Sequence, residues 1–309
     1  MDFMTQLLAA AISSGTPLLF ATLGGIMCER AGIINLGAEG LMLIGAVATC
    51  ITYLHTESVL LSILAAFAAS GLLGLIHAFL SITLRSNQVV SGLGITLFGT
   101  GLSAYLGKSV SGTPLPVSVP KLNLAWIEPI PIIGKVFAHL DLLTWFSILL
   151  VILMHLFINK TSWGLHLRAI GDSPGTADVM GIRVFLSRYI YVVVGSMMIG
   201  LAGADLILVY SPSWIEGMTA GRGWIAVALV IFAKWNPIRA LAVAYFFGAL
   251  DTLGFRIQLI GSHIPSYFLK MLPYILTILV LMYMGWRNRN KLTGKPEAVG
   301  EPYIREQRF

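Results

Sequence analysis

Long apolar stretches alternate with short polar turns along most of the chain. These stretches cover residues 3–28, 40–56, 58–84, 86–107, 142–159, 189–210, 238–260 and 266–286. The first five contain no Asp, Glu, Lys or Arg, and the last three contain only a few. Because a helix that crosses the hydrocarbon core needs about 20 apolar residues, each stretch is long enough, or nearly so. The pattern therefore predicts a membrane-spanning helix in each range.

One apolar stretch is only half as long as the others. Residues 224–233 are apolar but too short to span, which is typical of a broken or re-entrant helix that lines a cavity. This stretch follows a glycine-rich break, as does the stretch that begins near Gly37. One break lies on the inner side and the other on the outer side, as an inverted repeat predicts. We therefore expect an all-α membrane protein, a polytopic bundle of about 8–10 transmembrane helices with inverted repeats and broken helices.

The composition also indicates a membrane protein, which is surrounded by lipid. Of the 309 residues 57% are hydrophobic and only 11% are charged, whereas soluble domains have about 25% charged residues. This excludes an ordinary soluble enzyme. Cys28 and Cys50 both lie within apolar runs and are interpreted as packing residues, and the histidines show no metal-binding spacing. We expect no cofactor and no metal, and no nucleic acid as a partner because the net charge of +6 lies in membrane loops.

The distribution of Lys and Arg predicts the orientation. Basic residues are concentrated around 160–188, in the C-terminal tail and in alternate short turns, and such residues favour the cytoplasm. The N-terminus is then outside and the C-terminus inside, provided that 224–233 counts as a crossing. This divides the chain into a transmembrane domain, 1–286, and a basic cytoplasmic tail, 287–309. The proline-rich loop 108–136 is external, and it is either an extended cap that meets a partner or a plain connector.

The cytoplasmic loop 160–188 carries signals for a short helix. Asp172 or Ser173 can cap its N-terminus, Pro174 suits the first turn, and Gly181 ends it. A helix of about two turns is not stable alone in water, so it must pack against the membrane domain or a docked partner.

Three segments resemble one family. Residues 167–182 resemble the coupling-helix loop of ABC-importer permeases of the branched-chain amino acid and simple-sugar class. Residues 28–46 resemble the glycine-rich entry segment of that class, particularly of its nucleoside and simple-sugar permeases. Residues 223–237, followed by 247–251, form a third match. The resemblance covers about 15–285 and leaves out the tail.

The resemblance implies a non-enzymatic transport subunit in the bacterial cytoplasmic membrane with the fold of a type II ABC importer. It would form half of the path for nucleosides or related simple sugars, with branched-chain amino acids or other sugars as alternatives. The implied partners are a second permease subunit, more often a different chain than a copy, two cytoplasmic ATPase subunits and an extracellular substrate-binding lipoprotein. The residues implied in ATPase coupling are Arg168, Gly171, Asp172, Ala177, Asp178 and Gly181.

We expect the translocation path to lie between the two broken helices. Its candidate lining residues are Asn35, Glu39, Asn87, Gln88, Ser91, Thr96, Glu216 and Arg222. For each of them, helix capping or bonding between helices is an equally good interpretation.

Two aspartates lie within predicted spans, where an acid must pair, become protonated or face water. Asp251 matches the family pattern, whereas Asp205 departs from it and is open to pairing with Arg256, lining the pore or lying at the outer rim. A rival hypothesis uses both aspartates as coupling carboxylates of an ion-driven secondary transporter that is complete in one chain.

Overall fold

The computed structural model describes residues 3–117, 119–122, 128–130, 133–138, 140–259, 265–287 and 294–305. Over these residues the protein is helical, apart from isolated β-bridges in its loops. The helices are α1 (Phe3–Arg30), α2 (Ala38–Thr56), α3 (Val59–Ala78), α4 (Gln88–Gly107), α5 (Ile133–Phe137), α6 (Leu142–Lys160), α7 (Ser162–Asp172), α8 (Pro174–Val179), α9 (Val184–Asp205), α10 (Arg222–Phe232), α11 (Pro237–Leu259) and α12 (Ser266–Arg287). Helices α3 and α9 each continue in a π-helical turn, Phe79–Thr83 and Leu206–Tyr210.

Over the described residues, the helices confirm seven of the eight predicted spans. Within the described residues, α1, α2, α3, α4, α6, α9 and α11 are long and apolar enough to cross a membrane, and α12 contains a shorter apolar stretch, Met271–Tyr283. The short stretch predicted at 224–233 is the 11-residue helix α10. The span predicted to start at 189 begins earlier in the structure. Helix α9 starts at Val184 and includes Arg188, which is buried.

Three helices form the centre of the bundle. Most of the residues in α1, α2 and α9 are buried, and these helices contact one another, with α3 and α11 packed outside them. Glycines allow the closest approach: a Cβ atom added to Gly45 of α2 would collide with the carbonyl of Gly200 in α9. Small residues at such positions let membrane helices pack closely in the absence of a hydrophobic driving force.

The outer helices expose apolar side chains. Large hydrophobic residues on α3, α4, α6 and α12 are open to the surroundings, as expected for faces that meet lipid or another membrane subunit.

The two ends of the bundle differ. We call the end that carries α8 the inner end, following the predicted orientation, and the opposite end the outer end. At the outer end, part of the loop 108–136 lies against the segment after α9, with Gly112 donating to Trp214 and Leu115 to Pro212 through backbone hydrogen bonds. This loop also contains α5, and its residues 118, 123–127 and 131–132 lie outside the described part. At the inner end, Trp235 after α10 donates to Glu29 of α1 over 2.5 Å.

Candidate translocation and coupling sites

The second helix begins in the middle of the bundle. After α1 ends at Arg30, the chain turns back through residues 31–37 before α2 starts. Gly40, in the first turn of α2, packs against Ile95 and Thr96, which lie midway along α4; a Cβ at Gly40 would be 2.6 Å from the Ile95 carbonyl oxygen. Helix α2 is therefore a broken helix whose N-terminus lies inside the bundle and whose other end reaches the outer loop, where Tyr53 donates to Pro116.

Glu39 links the two broken helices. Its carboxylate accepts hydrogen bonds from Thr219 Oγ1 at 2.5 Å, from the Gly221 backbone N–H at 2.9 Å and from the Gly223 backbone N–H at 2.7 Å. Gly221 is the N-cap residue of α10 and Gly223 lies in its first turn, where unpaired N–H groups carry a partial positive charge. The acid of α2 thus caps α10, and the N-termini of the broken helices meet in the bundle.

A second polar cluster lies beside this junction. Arg222, at the start of α10, forms a 2.9 Å ion pair with Asp251 of α11. Asp251 also accepts from Ser14 at 2.7 Å and from Tyr210 at 3.5 Å, and the Arg222 guanidinium lies 4.8 Å from the centre of the Tyr210 ring. These contacts hold both charges in fixed positions within the membrane domain.

The ion pair faces a cavity of about 240 Å³. Apolar and aromatic side chains form most of its wall, among them Phe247, Phe255 and Tyr274. The Tyr274 hydroxyl donates to the Ala220 carbonyl at 2.8 Å, which fixes the ring beside the start of α10. An ion pair framed by aromatic rings offers hydrogen bonds to polar groups of a ligand and contact area to its rings.

Four other predicted path residues surround the break before α2. Asn35 accepts from the Gly37 N–H at 3.0 Å and donates to Ser196 at 3.3 Å. Gln88 accepts from the Ile34 N–H at 2.8 Å, Thr96 donates to the Leu36 carbonyl at 2.9 Å, and Ser91 bonds to His77, whose other ring nitrogen lies 3.0 Å from the Ile34 carbonyl. These side chains satisfy backbone groups that the broken helix leaves open.

The remaining two path candidates lie apart from these clusters. Asn87 caps α4 by accepting from the N–H groups of Val89 and Val90. Glu216 is exposed in the turn before α10.

Asp205 is a buried acid without a hydrogen-bond partner. It lies fully buried at the end of α9, and among the described residues neither of its carboxylate oxygens accepts a hydrogen bond. Of the three expectations for this residue, the structure therefore shows neither a hydrogen-bonded pair with Arg256 nor a position at an exposed rim.

The inner loop contains the predicted short helix and one more. Helix α8 spans Pro174–Val179 with Pro174 in its first turn, and Gly181 follows it with φ +84°, a conformation that favours glycine. Ser173 takes the cap position but makes no capping bond. The additional helix α7 contains Arg168 and Gly171 and ends at Asp172. Ala177 is buried, whereas Val179 and Met180 are 86% and 77% exposed at the tip of the loop.

The C-terminal segment holds this loop in place. Asp178 of α8 pairs with Arg305 at 3.1 Å, and the Gly171 carbonyl accepts from the Ala298 N–H at 2.9 Å. Tyr303 is buried in an apolar cluster with Ile170, Ala177 and Val184. This burial raises the pKa of the Tyr303 phenol.

Sequence reasoning missed several polar residues of the central clusters. Ser14, Tyr210 and Thr219 were not candidates because each is an ordinary residue of its segment. The only signal in the sequence was the acids themselves, since a carboxylate inside a membrane requires donors. Among the described residues no three His, Cys, Asp or Glu side chains come together as a metal site.

Comparison with known proteins decides the family. The family model described as "Branched-chain amino acid transport system / permease component" matches residues 7–281. The chain belongs to this family. The permease is therefore the membrane-spanning component of an ABC importer, a multi-pass protein of the cytoplasmic membrane and not itself an enzyme. Its membership confirms the resemblance found in the sequence.

Individual relatives cover the permease end to end. It is 37% identical to the putative glucose ABC transporter permease protein TsgC13 of Haloferax volcanii, over 99% of both chains. It is 34% identical to the guanosine ABC transporter permease protein NupQ of Bacillus subtilis, again over 99% of both. A second guanosine permease protein of that bacterium, NupP, is 22% identical over 86% of this chain and 77% of its own. No solved structure matches the permease.

Proposed function

We propose that this permease forms half of the translocation path for nucleosides or related simple sugars, and that the path passes between the N-termini of α2 and α10. The observation that carries the proposal is the Arg222–Asp251 ion pair, which lies in an aromatic-lined cavity next to the point where the two broken helices meet. Broken helices whose ends face a central cavity are the usual site of substrate passage in transporters.

The chemistry of the cavity suits this class of substrate. A nucleoside presents ribose hydroxyls, which can bond to a carboxylate and a guanidinium, and a flat base, which can stack on aromatic rings. Small-molecule sites usually enclose about 300–1,000 Å³. The cavity of about 240 Å³ in this chain is smaller, as expected if a second subunit supplies the rest.

Membership in the family implies ATPase and binding-protein partners, and we propose their arrangement. One of the two ATPase subunits would dock on the inner loop of this chain through Arg168, Gly171, Asp172, Ala177, Asp178 and Gly181. An extracellular lipoprotein would deliver the substrate to the outer end. Two different Bacillus subtilis proteins are named as guanosine permeases, and both resemble this chain. This supports a heterodimer of two unlike permeases.

The polar residues would then have different roles. Glu39 and Arg222 would line the path at the helix junction, and Asn35, Gln88, Ser91 and Thr96 would support the broken backbone beside it. Asn87 and Glu216 would lie at its inner and outer approaches.

A sugar is the second candidate substrate. The similarity to a putative glucose permease favours it, and the same ion pair and aromatic rings can bind a sugar through its hydroxyls and its apolar face.

A competition experiment separates the substrates. Cells that express the permease with its cognate partner permease, ATPases and binding protein are given radiolabelled guanosine. We expect uptake to be suppressed by excess unlabelled nucleosides and unaffected by leucine. Competition by glucose would favour the sugar candidate. Competition by leucine alone, or no guanosine uptake, would refute the nucleoside assignment.

A further inference from the structure

The C-terminal segment 294–305 packs against the inner end of the bundle. Its backbone bonds to two separate elements: Ala298 donates to Gly171 at the end of α7 over 2.9 Å, and Gly300 donates to Gly32 in the turn after α1 over 3.2 Å. The Arg305–Asp178 ion pair adds a contact to α8. This segment lies beyond the 7–281 range that the family model matches.

Tyr303 anchors the segment. Its ring packs against Phe185 at a centroid distance of 5.5 Å, and the Arg188 guanidinium lies 5.9 Å from its centre. Tyr303 is buried in this contact, and its hydroxyl lies close to Asp178 of α8. The ring therefore holds the segment against α8 and α9.

A cleft of about 750 Å³ separates α8 from the segment. Residues 172–176 and Val179 form one wall, and residues 297–298 and 301–305, including Tyr303, form the other. Among the described residues, the exposed carboxylates of Asp172, Glu297 and Glu301 line it, together with the one guanidinium of Arg305. The exposed Val179 adds an apolar edge.

The charge of the cleft identifies the kind of occupant. Lys and Arg dominate the predicted cytoplasmic loops, so a cleft with an excess of carboxylates is unusual on this face. The acidic residues disfavour an anionic lipid headgroup. Among the described residues they do not form a group that could hold a metal ion. A protein segment that presents Lys or Arg together with apolar side chains fits both the charge and the apolar edge.

We propose that the C-terminal segment 294–305 is the second wall of the surface on which the ATPase docks, and that the cleft receives a basic, partly apolar segment of the ATPase subunit. This rests on the proposed function, since it takes α8 as the coupling helix. The proposal also gives the segment a mechanical role. It connects α7 and α8 to the turn at Gly32, from which the chain leads into broken helix α2.

Charge reversal in the tail tests the proposal. The permease complex is purified from cells in which the cognate ATPase is co-expressed, and the affinity of the ATPase for the solubilised permease is measured at several salt concentrations. For the double variant Glu297→Lys/Glu301→Lys we expect affinity to fall at least tenfold. For Glu297→Gln/Glu301→Gln we expect a smaller loss and a weaker salt dependence. Both substituted side chains are exposed, so we expect all the variants to fold.

Two controls separate the possible failures. Glu57→Lys makes the same kind of charge change at the outer end and should leave affinity unchanged. Ala177→Trp disrupts α8 itself and should abolish docking while leaving membrane insertion intact. If the tail variants bind like the unaltered permease while Ala177→Trp does not, the tail is not part of the surface and only this inference fails. If the unaltered permease captures no ATPase, the proposed function fails with it.

Discussion

At the scale of single residues, the acids of the membrane domain differ in how many donors they have. Glu39 has three donors and Asp251 has Arg222, Ser14 and Tyr210. Asp205 is fully buried, yet no described residue donates to it. A buried polar group without a partner is a cost to stability, and one with partners is a contribution. The three residues therefore do not belong to one functional class.

The same substitution at two aspartates should have opposite effects. Asp205→Leu removes an unpartnered carboxyl, and we expect the free energy of unfolding to rise by about 1–3 kcal/mol with transport unchanged. Asp251→Leu leaves Arg222 without its charged partner, and we expect the free energy of unfolding to fall by about 1–3 kcal/mol together with a loss of transport. Thermal unfolding of the purified permease and substrate uptake measure both effects. A loss of transport in a well-folded Asp205→Leu variant would place Asp205 in the mechanism and support the carrier hypothesis.

The sequence alone could locate the unusual acids but not their partners. Glu39 and Arg222 were candidates because charges in or beside membrane spans are costly. Glu39 bonds to Gly223, which is far away along the chain, and no local pattern predicts such a pairing. Asp251 was recognised as exceptional, yet its partners Ser14 and Tyr210 come from helices whose arrangement depends on the whole bundle.

At the scale of helices, the positions of the spans followed directly from the gaps between charges. The charge gaps placed the start of α9 after Arg188, although this residue lies within the helix. Its side chain is buried under the C-terminal segment, and the spacing of charges along the sequence cannot show such a contact. Likewise, the tail was predicted only as a basic extension, whereas residues 294–305 pack against the inner loop. The basic residues at 288–293 and 306–309 lie outside the described residues.

Helix α10 should depend on its cap from α2. A glutamine at position 39 keeps only one acceptor oxygen. Its amide nitrogen carries two hydrogens, which would face groups that are themselves hydrogen-bond donors. We therefore expect Glu39→Gln to lower the free energy of unfolding by about 2 kcal/mol, since bonds to a charged acceptor contribute about 1.5–3 kcal/mol each. Thermal unfolding in detergent provides the measurement.

The matched control is Glu57→Gln, at an exposed acid after α2. It makes the same chemical change and should shift the melting temperature little. Equal shifts for the two variants would show that Glu39 is not the cap that holds α10.

At the scale of the whole molecule, the geometry of the permease fits the proposed half of a translocation path. Its central helices are closely packed, its broken helices meet beside an ion pair, and its outer helices expose apolar faces to lipid or to another subunit. A carrier that is complete in one chain needs no inner docking surface, whereas this chain presents Val179 and Met180 to its surroundings at the tip of an ordered loop. The arrangement therefore favours a transporter that is driven by ATPases docked at its inner end over an ion-driven carrier.

The most direct test is transport by the purified assembly in liposomes. The permease is reconstituted with its cognate partner permease and ATPases, the binding protein is supplied outside, and uptake of radiolabelled guanosine is followed with ATP or with an imposed Na⁺ or proton gradient. The account predicts uptake that requires ATP and the ATPases and does not respond to either gradient. Gradient-driven uptake by the permease alone, without ATPases, would contradict it.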